Sequence, residues 1–469
     1  MLDHGSHSSR SKKWGVLLTT QIGAFTVILN NTLMNVAMPF FMSHFKISAV
    51  EAQWVVTIFA LGMALTMPLT GFLGNRIGQN KIFIFALLLF LAASLLGAFS
   101  GTMAHIILFR FLQGISGGLV LTLSVILIFK HFEKKERGLI MGFWGVSNMI
   151  ASAIGPTFGG IILSLSEWNV LFLVNVPLGF IALVFALFFL KNKEKLVKVP
   201  FDKWGFILVY ISIVTLIYGV EQIHHQAKPY ITLLLFVIGG VSLYLFVKHE
   251  LRTTNPLLNL RIFRNKIYTI SLLLVCCSTV SFFSVVILIP LWIQEVMQES
   301  PLTTGLVLFS PAIAMGIAMI AGGRVLDRKG PFIVLLSGVL MLIIFTLVLI
   351  TLIGKVSLLL IALLLFLYGI GTGLLNAPSV TTALNSLRSS NINDGSAVIN
   401  TCRQFMKLLS VVIISIIFEW RRGVYVTSMP IDEAGILAVR QSFGVILVIL
   451  ILILPVILYV RKQLNQSSS

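Results

Sequence analysis

The stretch Gly71-Phe72-Leu73-Gly74-Asn75-Arg76-Ile77-Gly78-Gln79-Asn80-Lys81 separates two long apolar runs, and it occurs twice. Its echo is Gly323-Arg324-Val325-Leu326-Asp327-Arg328-Lys329-Gly330, in which Gly71, Asn75, Arg76 and Gly78 fall on Gly323, Asp327, Arg328 and Gly330. Both copies put glycine where the backbone must turn sharply, and basic side chains that hold the turn on one side of a membrane. A turn of this kind, repeated between hydrophobic helices, implies a duplicated helical half.

The flanking sequence demands a membrane. Of 469 residues, 57% are hydrophobic and 11% charged, and a mean hydropathy of +1.01 is not sustained by a water-soluble domain of this length. About fourteen runs are long enough to cross roughly 30 Å of hydrocarbon as helices. They lie near 14–38, 52–72, 82–100, 104–129, 138–164, 169–190, 204–222, 230–248, 268–293, 303–322, 332–353, 357–378, 395–419 and 437–460. The run from Trp14 to Pro39 is too long for a signal-peptide core and reads as the first retained span.

The net charge of +18 belongs to short loops, which excludes nucleic acid as the reason for it. Lys and Arg crowd alternate connections, from Lys12 and Lys13 through Arg76 and Lys81, Lys130 to Arg137, Lys191 to Lys198, Arg252 to Lys266 and Arg324 to Lys329, ending at Arg461 and Lys462. The positive-inside rule makes these connections and both termini cytoplasmic. Cys276, Cys277 and Cys402 sit in apolar segments and read as small core residues, with no disulfide framework and no zinc spacing.

The two turns are 252 residues apart, whereas six helices with short loops need roughly 200, so two helices are extra. The expected organisation is a disordered tail at 1–13, a six-helix bundle at 14–190, linkers with two inserted helices at 191–267, a second six-helix bundle at 268–460 and a tail at 461–469. The expected fold is therefore all-α and membrane-embedded, with 14 transmembrane helices.

The turn resembles the loop between the second and third helices of the major facilitator superfamily, with Asn75 where that family usually has an acid. Two further stretches resemble signatures of its fourteen-span drug:proton antiporters. Arg110-Phe111-Leu112-Gln113-Gly114-Ile115-Ser116-Gly117-Gly118 is similar to the fourth-span signature. Gly142, Ala151, Gly155, Pro156, Gly159 and Gly160 match the spacing of the antiporter motif in the fifth, with Ala151 replacing a glycine. Leu29 to Pro39 is similar to the first-span pattern, with Asn30 in place of its acid. The resemblance implies a bacterial cytoplasmic-membrane exporter of small-molecule drugs that exchanges them for protons by alternating access. It would be a multi-pass monomer surrounded by membrane lipids, with no cofactor beyond the coupling proton.

A Lys or Arg in mid-bilayer costs at least about 2.5–3.5 kcal/mol and survives only facing a wet cavity or a partner. Arg110, Arg403 and Lys407 are such residues. Ser396, Asn400, Arg403, Lys407 and Ser410 recur every three or four positions, which puts them on one helical stripe that must face the interior. Asn30, Asn31 and Asn35 read either as hydrogen bonds between helices or as neutral lining of a substrate path. Phe143, Trp144 and Asn148, with Phe282, Phe283, Met315 and Met319, would supply a permissive pocket.

No carboxylate is clearly central. Glu221, Glu295 and Glu419, toward the outer ends of their spans, are the proton-carrying candidates, with Arg110 as their coupling partner, because partial burial raises a carboxylate toward neutrality. Glu51, Glu167, Asp202, Glu250 and Asp327 read as loop or turn residues. A cavity biased positive implies substrates that are zwitterionic or carboxylate-bearing as well as cationic. A lipid or anionic-metabolite translocator of the same fold is the alternative. No Walker loop, zinc motif or nucleophile elbow is present, so no enzyme is expected.

Overall fold

The computed structural model describes residues 10–191, 196, 200–224, 229–354 and 356–467, and of these the side chains of 10, 49, 50, 221, 223, 224, 229, 295, 301, 302, 431, 432 and 459–467 are not described. Its helices are α1 Arg10–Val36, α2 Met38–Phe45, α3 Ala49–Thr66, α4 Leu69–Leu73, α5 Gln79–Ala98, α6 Met103–His131, α7 Arg137–Leu165, α8 Val170–Leu173 and α9 Asn175–Phe189. They continue as α10 Lys203–His224, α11 Pro229–Arg252, α12 Lys266–Pro290, α13 Pro301–Lys329, α14 Pro331–Leu352, α15 Leu358–Asn385, α16 Ile392–Val426 and α17 Ile431–Ser467.

Among the described residues, thirteen helical stretches are long and apolar enough to cross a membrane, and a shorter apolar helix, Glu51–Thr66, stands where the second span is expected. Its interruption has a local cause. Pro68 lacks the N–H that would continue the ladder, and its ring crowds the preceding turn, so α3 stops at Thr66 and restarts as α4. A π-helical turn, Gly74–Gly78, then joins α4 to α5. Along the spans, hydroxyls such as Thr19, Ser94, Ser124, Thr346 and Thr372 donate back to the carbonyl four residues earlier. No polar hydrogen of these side chains is left facing hydrocarbon.

The helices pack as two compact units. Unit 1 comprises Met1–Arg137, Ile150–Arg261 and Ser389–Thr401, and unit 2 comprises Gly138–Met149, Ile262–Arg388 and Cys402–Ser469. The boundary falls inside α7 and α16, so each of these helices contributes to both.

In unit 1, one apolar core joins Phe59, Phe83, Phe90, Val120, Leu123 and Leu127, and a second gathers Leu33, Phe41, Trp168 and Phe172. Lys13 reaches Glu136 at 3.5 Å and Glu133 at 3.8 Å, which puts the start of α1 beside the loop from α6 to α7. α10 packs along α11 and meets α3, where Tyr210 Oη donates to Leu65 O at 2.6 Å and the Trp54 ring lies tilted against Tyr218. In unit 2, Trp292, Leu342, Phe345, Leu365, Tyr368, Phe418 and Phe443 are centres of one continuous core drawn from α12, α14, α15, α16, α17 and the turn after α12.

Candidate functional site

Each copy of the repeated turn offers a side-chain oxygen to another helix of its own unit. In unit 2, Asp327 at the end of α13 accepts hydrogen bonds from Gly138 N at 2.9 Å and Leu139 N at 2.8 Å, capping the exposed N–H groups of the first turn of α7. In unit 1, Asn75 accepts from Asn393 Nδ2 at 2.6 Å, and Asn393 Oδ1 in turn accepts from Gln79 Nε2 at 2.8 Å. An amide therefore stands against the start of α16, and no charge on Asn75 is needed to hold it. Gly78 at φ 108° and Gly330 at φ 79° occupy backbone that L side chains rarely adopt, which is why both copies end in glycine. Gly323 serves close approach instead: a Cβ there would lie 2.1 Å from Gly138 O. Arg76 and Arg328 are exposed, Arg76 stacking on Phe72 at 5.7 Å.

Arg110 lies on α6, wholly buried in unit 1. Its Nε donates to Val55 O at 3.1 Å and its Nη1 to Gln113 Oε1 at 3.1 Å and to Asn30 Oδ1, while the guanidinium sits 4.2 Å from the centre of the Phe59 ring. Gln113 passes the network on to Ser94 Oγ at 2.8 Å. Every partner is an amide, a carbonyl or a ring, so the positive charge is solvated by dipoles and not cancelled. Arg110 Nη2 and Asn30 Nδ2 have no hydrogen-bond partner. Of the other first-span asparagines, Asn31 is half-buried and Asn35 exposed. The glycine motif of α7 meets α1 here: a Cβ on Gly155 would fall on Thr32 and one on Gly159 would touch Leu33, whereas Gly160 faces open space. Pro156 is inside the helix.

The residues of the stripe on α16 divide between the two units. Ser396 and Asn400, in unit 1, are buried, and Asn400 Nδ2 donates to Ser396 O at 3.0 Å. In unit 2, Arg403 and Lys407 are half-buried. Arg403 Nη2 donates to Asn376 Oδ1 of α15 at 3.1 Å, and its Nε has no partner. Lys407 Nζ lies 5.0 Å from the centre of the Phe283 ring on α12, and Ser410 Oγ donates to Val280 O at 3.2 Å. No carboxylate forms an ion pair with either cation among the described residues. Cys276 and Cys402 are within hydrogen-bond reach of one another beside Arg403. On α7, Phe143 is half-buried, and Trp144 and Asn148, one turn apart, are buried with Trp144 Nε1 and Asn148 Oδ1 unpartnered. A cleft of about 480 Å³ between α16 and α17 is lined by Ile417, Trp420, Arg421, Gln441, Gly444 and Val445, and includes no member of the stripe.

Three expectations change. Glu419 is exposed at the surface of α16 beside Trp420, not partly buried as expected. Met315 and Met319, expected in a pocket, are buried in helix packing, with Met319 against Gly145 and Met315 against Gly373. Glu250, read as a loop residue, is fully buried on the last turns of α11. The side chains of Glu221 and Glu295 lie outside the described residues. Asn376 was not singled out by sequence. An amide two residues before Pro378 in the otherwise apolar Leu374-Leu375-Asn376-Ala377-Pro378 is the signal that marks it.

The model of the Major Facilitator Superfamily matches residues 21–411 of this chain. The chain belongs to the major facilitator superfamily. Relatives in it include the uncharacterized transporter YhcA of Bacillus subtilis, 30% identical over 89% of this chain and 79% of its own length. The lincomycin resistance protein LmrB of Listeria innocua is 28% identical over 83% of both chains. The multidrug export protein EmrB of Haemophilus influenzae is 29% identical over 62% of this chain and 57% of its own. The solved structure of the proton:xylose symporter XylE superposes with a TM-score of 0.65 at 13% identity, covering 94% of this chain and 95% of that one, a likeness of fold alone.

Membership makes this chain a multi-pass membrane transporter of the all-α major facilitator fold. The superfamily turn is present in both halves, with an acid only in the second. The fourth-span arginine keeps its place, but the first-span residue facing it is an amide. Asn30 cannot take up or release a proton, so Arg110 is held permanently by neutral groups.

Proposed function

We propose that this transporter exports amphiphilic drugs, carboxylate-bearing and zwitterionic as well as cationic, in exchange for protons and by alternating access. Its place would be a bacterial cytoplasmic membrane, with the basic loops and both termini on the cytoplasmic side. The observation that carries the reading is the pair Arg403 and Lys407: two half-buried cations inside an apolar helix, met by an amide, a ring and no described carboxylate. Uncompensated charge at such depth is costly, and a substrate carboxylate removes that cost each time it binds. The unpartnered Arg403 Nε and the Phe283 ring beside Lys407 suit a ligand with an anionic group on an aromatic body. The drug-resistance names of LmrB and EmrB support drugs as the cargo. Glu221 and Glu295 remain the candidates for the exchanged proton.

Efflux assays on Arg403→Ala test this. Export of a quinolone-like drug with a free carboxylate should fall far more than export of a quaternary ammonium dye, and equal losses would count against the reading. The same two cations also favour an endogenous anion, a lipid or metabolite, as cargo. Dissipating the proton gradient separates the two: drug exchange stops, while efflux that continues unchanged favours the anion translocator.

A further inference from the structure

The inserted helices of unit 1 hold a pair of carboxyl groups that transport by the α16 stripe does not use. Asp202 immediately precedes α10 and accepts from Gly205 N at 2.9 Å, the capping arrangement in which an ionised carboxylate is favoured by the helix start. His249 Nε2 stands 2.9 and 3.0 Å from its two oxygens, with Thr253 Oγ1 3.1 Å from the same nitrogen. Asp202 thus has surroundings that suit a carboxylate.

Glu250 lacks such surroundings. It lies on the last turns of α11, where the helix dipole disfavours an anion, and it is fully buried. Its Oε2 accepts from Leu258 N at 3.1 Å, and its Oε1 has no partner among the described residues. A Cβ on Gly205 would lie 2.3 Å from Glu250 Oε1 and 2.5 Å from Asp202 Oδ2, so the two oxygens crowd one point beside the glycine, within reach of a shared hydrogen bond.

Among the described residues no cation balances a second charge. His249 is taken up by Asp202, and Lys203, Lys248, Arg252 and Arg261 on the adjoining turns are exposed. Arg76, beyond the stacked Phe72 and Phe201, is also exposed. Two ionised carboxylates at this spacing, one of them buried with an orphan oxygen, would repel each other without compensation; one proton removes both costs.

We propose that Asp202 and Glu250 bind a single proton between them at neutral pH, with Glu250 Oε1–H donating to Asp202 Oδ2, as a proton site of the inserted helix pair. The proton comes from water and returns to it, and it fastens the start of α10 to the end of α11. Gly205 is required because any side chain there would occupy the hydrogen bond.

Infrared spectra of the purified full-length protein in lipid nanodiscs at neutral pH test the site. Wild type minus Glu250→Gln should show a carboxylic-acid carbonyl band that moves down in D2O. Glutamine keeps both an acceptor for Leu258 N and a donor toward Asp202, so the fold is preserved. Asp202→Asn, which still offers an acceptor, should keep the band and shift its position. A difference spectrum with ionised-carboxylate bands in place of the acid band overturns the proposal, and so does an acid band that Asp202→Asn leaves unmoved.

Discussion

Two arginines placed in apolar helices by the sequence are solvated in different ways, which bears on the cargo recognition proposed for Arg403. Arg110 is sealed among Asn30, Gln113, Val55 O and Phe59, with no route to a ligand, whereas Arg403 keeps some exposure and an unpartnered Nε. Asn30 is the only side chain from another helix that accepts from Arg110 among the described contacts. Asn30→Leu should therefore cost about 3–5 kcal/mol, the loss typical of stripping a partner from a buried charge, and Asn30→Asp should be tolerated. Thermal unfolding in detergent measures both, and an Asn30→Leu protein as stable as wild type would show that the network does not hold the arginine. The helices that carry these residues were legible in the sequence, and helical spacing fixes which positions share a face. Their partners were not, since Asn376 and Gln113 come from elsewhere along the chain or look unremarkable among apolar neighbours. Glu250 was misplaced for a related reason: beside Lys248, His249 and Arg252 it looks solvated, and the returning chain at Leu258 and the start of α10 bury it.

At the scale of elements, the duplicated turn carried most of the legible information. Glycine at the positive-φ positions and an acceptor ahead of the basic pair were readable as a repeat, but what each copy caps was not, because α7 and α16 are far away in sequence. Asp327→Ala should lose roughly 1–2 kcal/mol through the two uncapped N–H groups of α7, with partial recovery in Asp327→Asn. Equal stability of wild type and Asp327→Ala would refute the capping role. Asn75→Asp should be well tolerated, because Asn393 Nδ2 donates to either side chain. Gly323→Ala should be the most damaging change in the turn, since its methyl would meet Gly138 O at 2.1 Å and backbone cannot yield as a side chain can. The break at Pro68 was missed because hydropathy averages over it.

At the scale of the whole molecule, composition and the count of apolar runs sufficed for the class. The fold followed because only helices satisfy their own backbone across so many apolar runs. The substrate did not follow, because it depends on which cations remain without a counter-charge, and that is decided by packing. Arg403 and Lys407 are proposed to recognise a carboxylate on the cargo. The direct measurement compares binding of a quinolone-like drug and its methyl ester to the purified wild type and to the Arg403→Gln/Lys407→Gln double variant. A charge-assisted hydrogen bond is worth about 1.5–3 kcal/mol, so the ester should bind wild type roughly tenfold or more weakly than the acid, and the double variant should not distinguish them. Equal affinity of acid and ester for the wild type would contradict the claim.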